Sequence, residues 1–177
     1  DQSFVVDMDF VGHLRVAEAF VAAGGQGPVL DFGSGTGTLG EELLRLGVEP
    51  LDAIDLSPEM LGVAQHKQIY RDLFEGNLLD GFSIDQSYDG IVSSGTFTHG
   101  HVGPEAIDAL LALANPGALI VLAINSQHFE SHGFAAKFDE LAGKISELCL
   151  PVVRYYGDAA TGDHKDDTGK IATFRKI

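Results

Sequence analysis

One stretch limits the folds open to this chain: Pro28-Val29-Leu30-Asp31-Phe32-Gly33-Ser34-Gly35-Thr36-Gly37-Thr38-Leu39-Gly40. A short apolar run from Val29 to Phe32 meets glycines at alternate positions, and helical spacing takes over from Thr38 to Leu46. The pattern predicts strand, tight loop and helix. Glycine is required where the backbone must turn sharply and lie against a ligand with no Cβ between them. The loop is therefore a cradle for something flat or extended.

Two ligands compete for such a cradle. Gly35-x-Gly37-x-x-Gly40 matches the dinucleotide fingerprint, in which a pyrophosphate rests on the helix N-terminus. Asp31 at the strand end, with Glu41 and Glu42 in the first helical turn, would repel a pyrophosphate and suit a cationic ligand. A sulfonium bearing an amino group answers that better than a dinucleotide.

Around this loop, strands and helices alternate. Met8 to Ala23 has helical spacing and stops at Gly24-Gly25. Pro50 to Asp55 is a second strand. Ser57 as N-cap, Pro58 as first helical residue and Glu59 then start a helix running to about Tyr70. Asp72 to Glu75 is a short strand before Gly76-Asn77-Leu78. Tyr88 to Ser94 is a strand opening into a loop from Gly95 to His101, and Pro104 starts the next helix. Ala118 to Ile124 is apolar almost throughout, as in a parallel strand covered on both faces. A last helix is expected over Ala135 to Leu148. Two strands, Val152 to Tyr156 and Lys170 to Arg175, follow, joined through the turn-rich Gly157 to Gly169. The fold expected is α/β: a Rossmann-like, seven-stranded, doubly wound sheet, mostly parallel with an antiparallel C-terminal hairpin strand, forming one domain over residues 1–177.

Charge bounds the partners. Eleven Lys and Arg against 26 Asp and Glu leave a net charge of −15, and no basic stripe is visible. That field repels polyanions, so nucleic acid and anionic membranes are not expected as partners. No apolar run has the length of a membrane span. Cys149 is the only cysteine, which excludes an internal disulfide; its apolar helical context predicts a buried thiol, in keeping with a cytoplasmic protein. Asp1-Gln2-Ser3-Phe4 has neither a starting Met nor a signal-peptide pattern, so an upstream segment is expected to be absent from this chain.

In a doubly wound sheet, ligands bind beyond the C-terminal strand ends. Four groups belong to that rim: the loop from Asp31 to Gly37, Asp55, Gly76-Asn77-Leu78, and Ser93-Ser94-Gly95. Asp55 lies where an acid can accept both hydroxyls of a ribose, Ser57 already serving as the helix cap.

These residues resemble the class I S-adenosylmethionine-dependent methyltransferases. The strand and glycine loop are similar to the family's D/E-x-G-x-G-x-G motif, which implies cofactor contacts from Asp31, Gly33, Ser34, Gly35, Thr36 and Gly37. Asp55-Leu56-Ser57-Pro58-Glu59-Met60-Leu61 resembles its D-x-S-x-x-M-L segment, placing the acid on the ribose and Leu56 and Met60 beside the adenine. Gly76-Asn77-Leu78 stands where the family has G-D-A; Asn77 departs from it, offering an amide oxygen to the adenine amino group in place of a carboxylate. Tyr88 to Ser93 resembles the F-D-x-V-x-S strand, and Asn115-Pro116-Gly117-Ala118 the K-P-G-G turn. More narrowly, Gly95 to Val102 and Ile171 to Lys176 resemble the Williams-Beuren-region-type methyltransferase-like proteins. In that group a Y-D-x-W-x-x-x-Y-D segment precedes the first helix, implying that Asp1 is its last residue and that an aromatic lid is missing from this chain.

The function implied is methyl transfer by direct displacement from S-adenosylmethionine to a small-molecule acceptor, leaving S-adenosylhomocysteine. The protein's tasks are alignment and exclusion of water, with a base needed only where the acceptor carries a proton. His99, then His101, are the candidates for that acceptor-side group. No metal is expected: His99 with His101, or His128 with His132, lacks a third ligand at a diagnostic spacing. His164 among Asp163, Asp166 and Asp167 reads as a solvated hairpin tip. Three rivals stay open: a nicotinamide-dependent oxidoreductase, an aminopropyl transferase, and a silent nucleoside-binding protein whose acceptor cavity Phe97, Phe129 or Phe134 fills.

Overall fold

The structure, a computed structural model, describes residues 10–98 and 102–177. In chain order the elements are α1 (Gly12–Ala22), β1 (Val29–Phe32), α2 (Thr38–Arg45), β2 (Leu51–Asp55), α3 (Pro58–Lys67), β3 (Asp72–Glu75) and a 3-10 turn at Leu78–Asp80. Then come β4 (Tyr88–Phe97), α4 (Ala106–Leu113), β5 (Ala114–Asn125), α5 (Ser126–Ser131), α6 (Phe134–Glu140), β6 (Ile145–Cys149), β7 (Val152–Arg154) and β8 (Thr168–Lys176).

The strands form one sheet in the order β3-β2-β1-β4-β5-β8-β6, with β7 also pairing β8. Pairs from β3 to β5 are parallel, while β8 runs antiparallel to β5, β6 and β7. The strand order reverses between β1 and β4, so the rim beyond their C-terminal ends is where a ligand crevice should open.

The sheet has eight strands where seven were expected. The extra one is β6, read from sequence as the tail of the last helix. The helix stops at Glu140, because Gly143 interrupts it and the backbone of Ile145–Cys149 finds partners along the outer edge of β8. Cys149 is consequently exposed on an edge strand, not buried in a helix.

Side chains divide between two cores by strand alternation. Ile120, Leu122 and Ile124 of β5 face one core with α4, α5 and α6; Leu119, Val121 and Ala123 face the other with α1 and α2. Within the sheet, Asp52 is fully buried and accepts from Arg71 Nε and Nη2 (3.0 and 2.9 Å), the Asp72 amide (3.1 Å) and the Tyr88 hydroxyl (2.7 Å). Burial of Asp52 is tolerated because each oxygen is satisfied. At the chain's end, Lys176 Nζ donates to the carbonyls of Leu111 and Ala114, closing the C-terminus of α4. Among the described residues no helix is long and apolar enough to cross a membrane.

Candidate active site

The glycine loop is held open by its backbone. Gly33, Gly35 and Gly37 all have positive φ (70°, 54° and 93°), a region that costs any residue with a Cβ. At Gly33 the demand is also steric: a Cβ would lie 1.8 Å from Thr96 Oγ1, which donates to the Phe32 carbonyl at 3.2 Å. The amides of Gly33 and Ser34 both donate to the Ile54 carbonyl (2.9 and 3.2 Å), tying the loop to β2.

Asp55, half-buried at the end of β2, accepts from the Gly35 amide at 2.8 Å and from the Ser57 amide at 2.9 Å. Each oxygen keeps acceptor capacity for a further donor. Ser57 caps α3 as expected, accepting from the Met60 amide at 3.2 Å.

These elements surround a cavity of about 650 Å³. Gly33, Ser34 and Gly35 line it on one side, and Asp55, Leu56 and Met60 on another. Gly76 and Asn77 from the end of β3, and Ser94 and Gly95 from β4, complete the predicted part of the wall. Leu56 is 66% exposed and Leu79 39% exposed, large apolar side chains left open at its rim. No Lys or Arg is among the described residues of its wall, and Asp55 is the carboxylate there.

Several expected cofactor residues do not reach this wall: Asp31, Thr36, Gly37, Leu78 and Ser93. Asp31 is buried beneath the loop, where the Tyr70 hydroxyl donates to it at 2.6 Å. Burial raises its pKa to about 7, the Tyr70 bond opposing and Asp55 reinforcing the rise. Tyr70 in turn fills the space left by Gly40, where a Cβ would sit 2.4 Å from its hydroxyl. Asp31 therefore anchors the tyrosine that seats α2. Glu41 and Glu42, expected to flank the ligand, pair with Lys67 and Arg45. Asn77 lines the cavity, but its oxygen accepts from the Leu79 amide at 2.9 Å and its amide donates to Asp80 at 3.0 Å.

The Methyltransferase domain family matches residues 13–151, more than half of the chain. This chain belongs to that family.

Solved structures of other methyltransferases share its architecture. N-methyltransferase NodS from Bradyrhizobium japonicum WM9, crystallised with S-adenosyl-L-homocysteine, superposes with a TM-score of 0.65 at 20% identity, covering 93% of this chain and 85% of that one. Magnesium protoporphyrin IX methyltransferase (ChlM) from Synechocystis PCC 6803, with bound SAM, gives 0.62 at 19% identity, covering 93% and 80%. TrmN from Thermus thermophilus gives 0.65 at 20% identity over 91% of this chain and 48% of that one. No curated protein matches the chain.

The methyltransferase also has features at its site that sequence patterns did not reveal. Thr38 and Leu39 line the cavity as the first residues of α2, and Phe10 and His13 line it because the start of α1 is pinned across it: the Val11 amide donates to the Tyr155 carbonyl at 2.7 Å, and Phe10 bridges Tyr156. A second cavity, about 120 Å³, adjoins the first and shares Phe10 and Ser94 with it. Phe97, Tyr155 and Tyr156 wall it, and the hairpin brings His164 and Asp167 to it, bonded Nδ1 to Oδ2 at 3.0 Å. His164 is exposed, as expected of a solvated hairpin tip, and also lines this cavity. Phe129 and Phe134 pack in the core and line neither cavity. His99 and His101 lie outside the described residues. His128 Nε2 donates to the Val102 carbonyl at 2.6 Å, with its ring 4.2 Å from that of His132.

Proposed function

We propose that this methyltransferase carries the methyl group of S-adenosylmethionine to a small-molecule acceptor. The observation that supports it is the pairing of cavities: a large one built on the glycine loop and, sharing Phe10 and Ser94 with it, a small one walled by aromatic side chains.

The large cavity's chemistry suits the cofactor. Leu56, Met60 and Leu79 offer apolar surface for the adenine, and Asp55 retains acceptor capacity for the ribose. Ser34 Oγ and Thr38 Oγ1 are buried without partners on the glycine-loop side, where they would receive the amino-acid end. Thr36 and Gly37 shape the loop, and Gly76, Asn77, Leu78, Ser93 and Gly95 set the far wall's position. When bound, the cofactor would supply an electrophilic methyl group to an acceptor, with Ser94 lining both cavities.

The chain's part is to align the acceptor and exclude water. Phe10, Phe97, Tyr155 and Tyr156 would hold an apolar body in the small cavity. A proton leaving the acceptor would pass to His99, with His101 and the Asp167-oriented His164 as the other candidates. The net charge of −15 disfavours a polyanionic acceptor.

The test is transfer from S-adenosylmethionine labelled in its methyl group to a cell extract separated into low-mass and RNA fractions. Label in the low-mass fraction is expected; label confined to RNA would overturn a small-molecule acceptor.

A further inference from the structure

Among the described residues, three buried polar side-chain atoms on the wall of the large cavity have no partner: His13 Nδ1, Ser34 Oγ and Thr38 Oγ1. They come from α1, the glycine loop and the first residue of α2. Buried polar atoms are nearly always bonded, so atoms left open along this cavity mark where a ligand's polar end belongs. Ser34 and Thr38 donate or accept as hydroxyls and carry no charge. His13, only 9% exposed, is the one side chain among the described wall residues able to become cationic.

We infer that His13 is the partner of the cofactor's α-carboxylate, and that binding of the amino-acid-bearing nucleoside draws a proton onto its imidazole. The inference rests on the reading that this cavity holds S-adenosylmethionine or its product. The carboxylate is the ligand's anionic group and becomes desolvated in a wall without Lys or Arg, so a positive charge beside it is the available compensation.

Before binding, burial holds the His13 pKa below the usual imidazole value, with Glu42 and Glu41 of α2 pulling it upward. Glu42 is itself paired with Arg45 and Glu41 with Lys67. On α1, Arg15 and Glu18 pair with each other; across the cavity the charged group is Asp55. The free protein therefore presents a neutral imidazole near pH 7, and a bound carboxylate raises its pKa. Affinity should increase as pH falls toward 6. Asp31 lies beneath the loop, bonded to the Tyr70 hydroxyl, and does not reach the cavity wall.

The experiment is calorimetric titration of the full chain with S-adenosylhomocysteine in buffers of different ionisation heat between pH 6 and 7.5, with 5′-methylthioadenosine as the probe lacking the amino-acid group. Net proton uptake is expected with S-adenosylhomocysteine and none with methylthioadenosine. His13→Gln should abolish the uptake and weaken S-adenosylhomocysteine about tenfold at pH 6, the size of one charged hydrogen bond, while leaving methylthioadenosine affinity unchanged. The uptake measurement on the unmutated protein stands even if the variant fails to fold. Binding of both probes without uptake, or an equal loss of both in His13→Gln, would overturn the proton link alone. Heat from neither probe would overturn the cofactor reading and this inference with it.

Discussion

At Asp31 a carboxyl group sits under the glycine loop with one hydroxyl donor and a pKa near 7. A folded-state pKa above the unfolded value means the native state holds the extra proton, so this group's stabilisation is present below pH 4 and is lost as pH rises toward 7. Asp31→Asn cannot lose a proton there. Its stability relative to the unmutated protein should therefore rise between pH 4 and 7 by an amount on the order of 4 kcal/mol, then level off. Thermal melts across that range check it, and a pH-independent difference would refute the assignment. Gly33 makes a second demand, with φ of 70° and Thr96 Oγ1 where a Cβ would go. Gly33→Ala should cost at least ~2 kcal/mol from the left-handed backbone and the overlap together. It should also weaken S-adenosylhomocysteine binding, because the loop must shift away from Thr96.

Pairings between elements account for what the sequence disclosed and what it hid. The run from Val29 to Gly37 and the cap at Ser57 were legible because strand, turn and cap are local patterns. Asp55 was legible because it ends a strand in a sheet whose winding could be counted. β6 was not: Ser146, Leu148 and Cys149 carry no strand signal of their own, and only the free edge of β8 makes them one. His13 and Phe10 joined the site because a hydrogen bond from Val11 to Tyr155 lays α1 across the cavity, a contact between residues far apart in sequence. His164 and Asp167 joined it because the β7–β8 connection folds back toward β4. Elements β2, β3 and β4 are further tied by Asp52, whose bond from Tyr88 lies in the buried sheet. Tyr88→Phe should cost about 1.5–3 kcal/mol, lowering the melting temperature by several degrees in a domain of this size, with cofactor affinity unchanged. A melting temperature equal to that of the unmutated protein would show the bond to be without consequence.

At the scale of the whole molecule, helices on both faces of the sheet leave the C-terminal strand ends as the candidate site, and the proposed function assigns the larger cavity there to the cofactor and the smaller to the acceptor. The chain carries a net charge of −15, and the larger cavity contains Asp55 with no Lys or Arg among its described wall residues. Such a cavity favours a nucleoside bearing an ammonium group over a ligand bearing a pyrophosphate. Side-by-side calorimetric titration with S-adenosylhomocysteine and NADH tests that most directly. One mole of S-adenosylhomocysteine should bind per mole of chain while NADH gives no heat; saturable NADH binding with no response to S-adenosylhomocysteine would contradict the account.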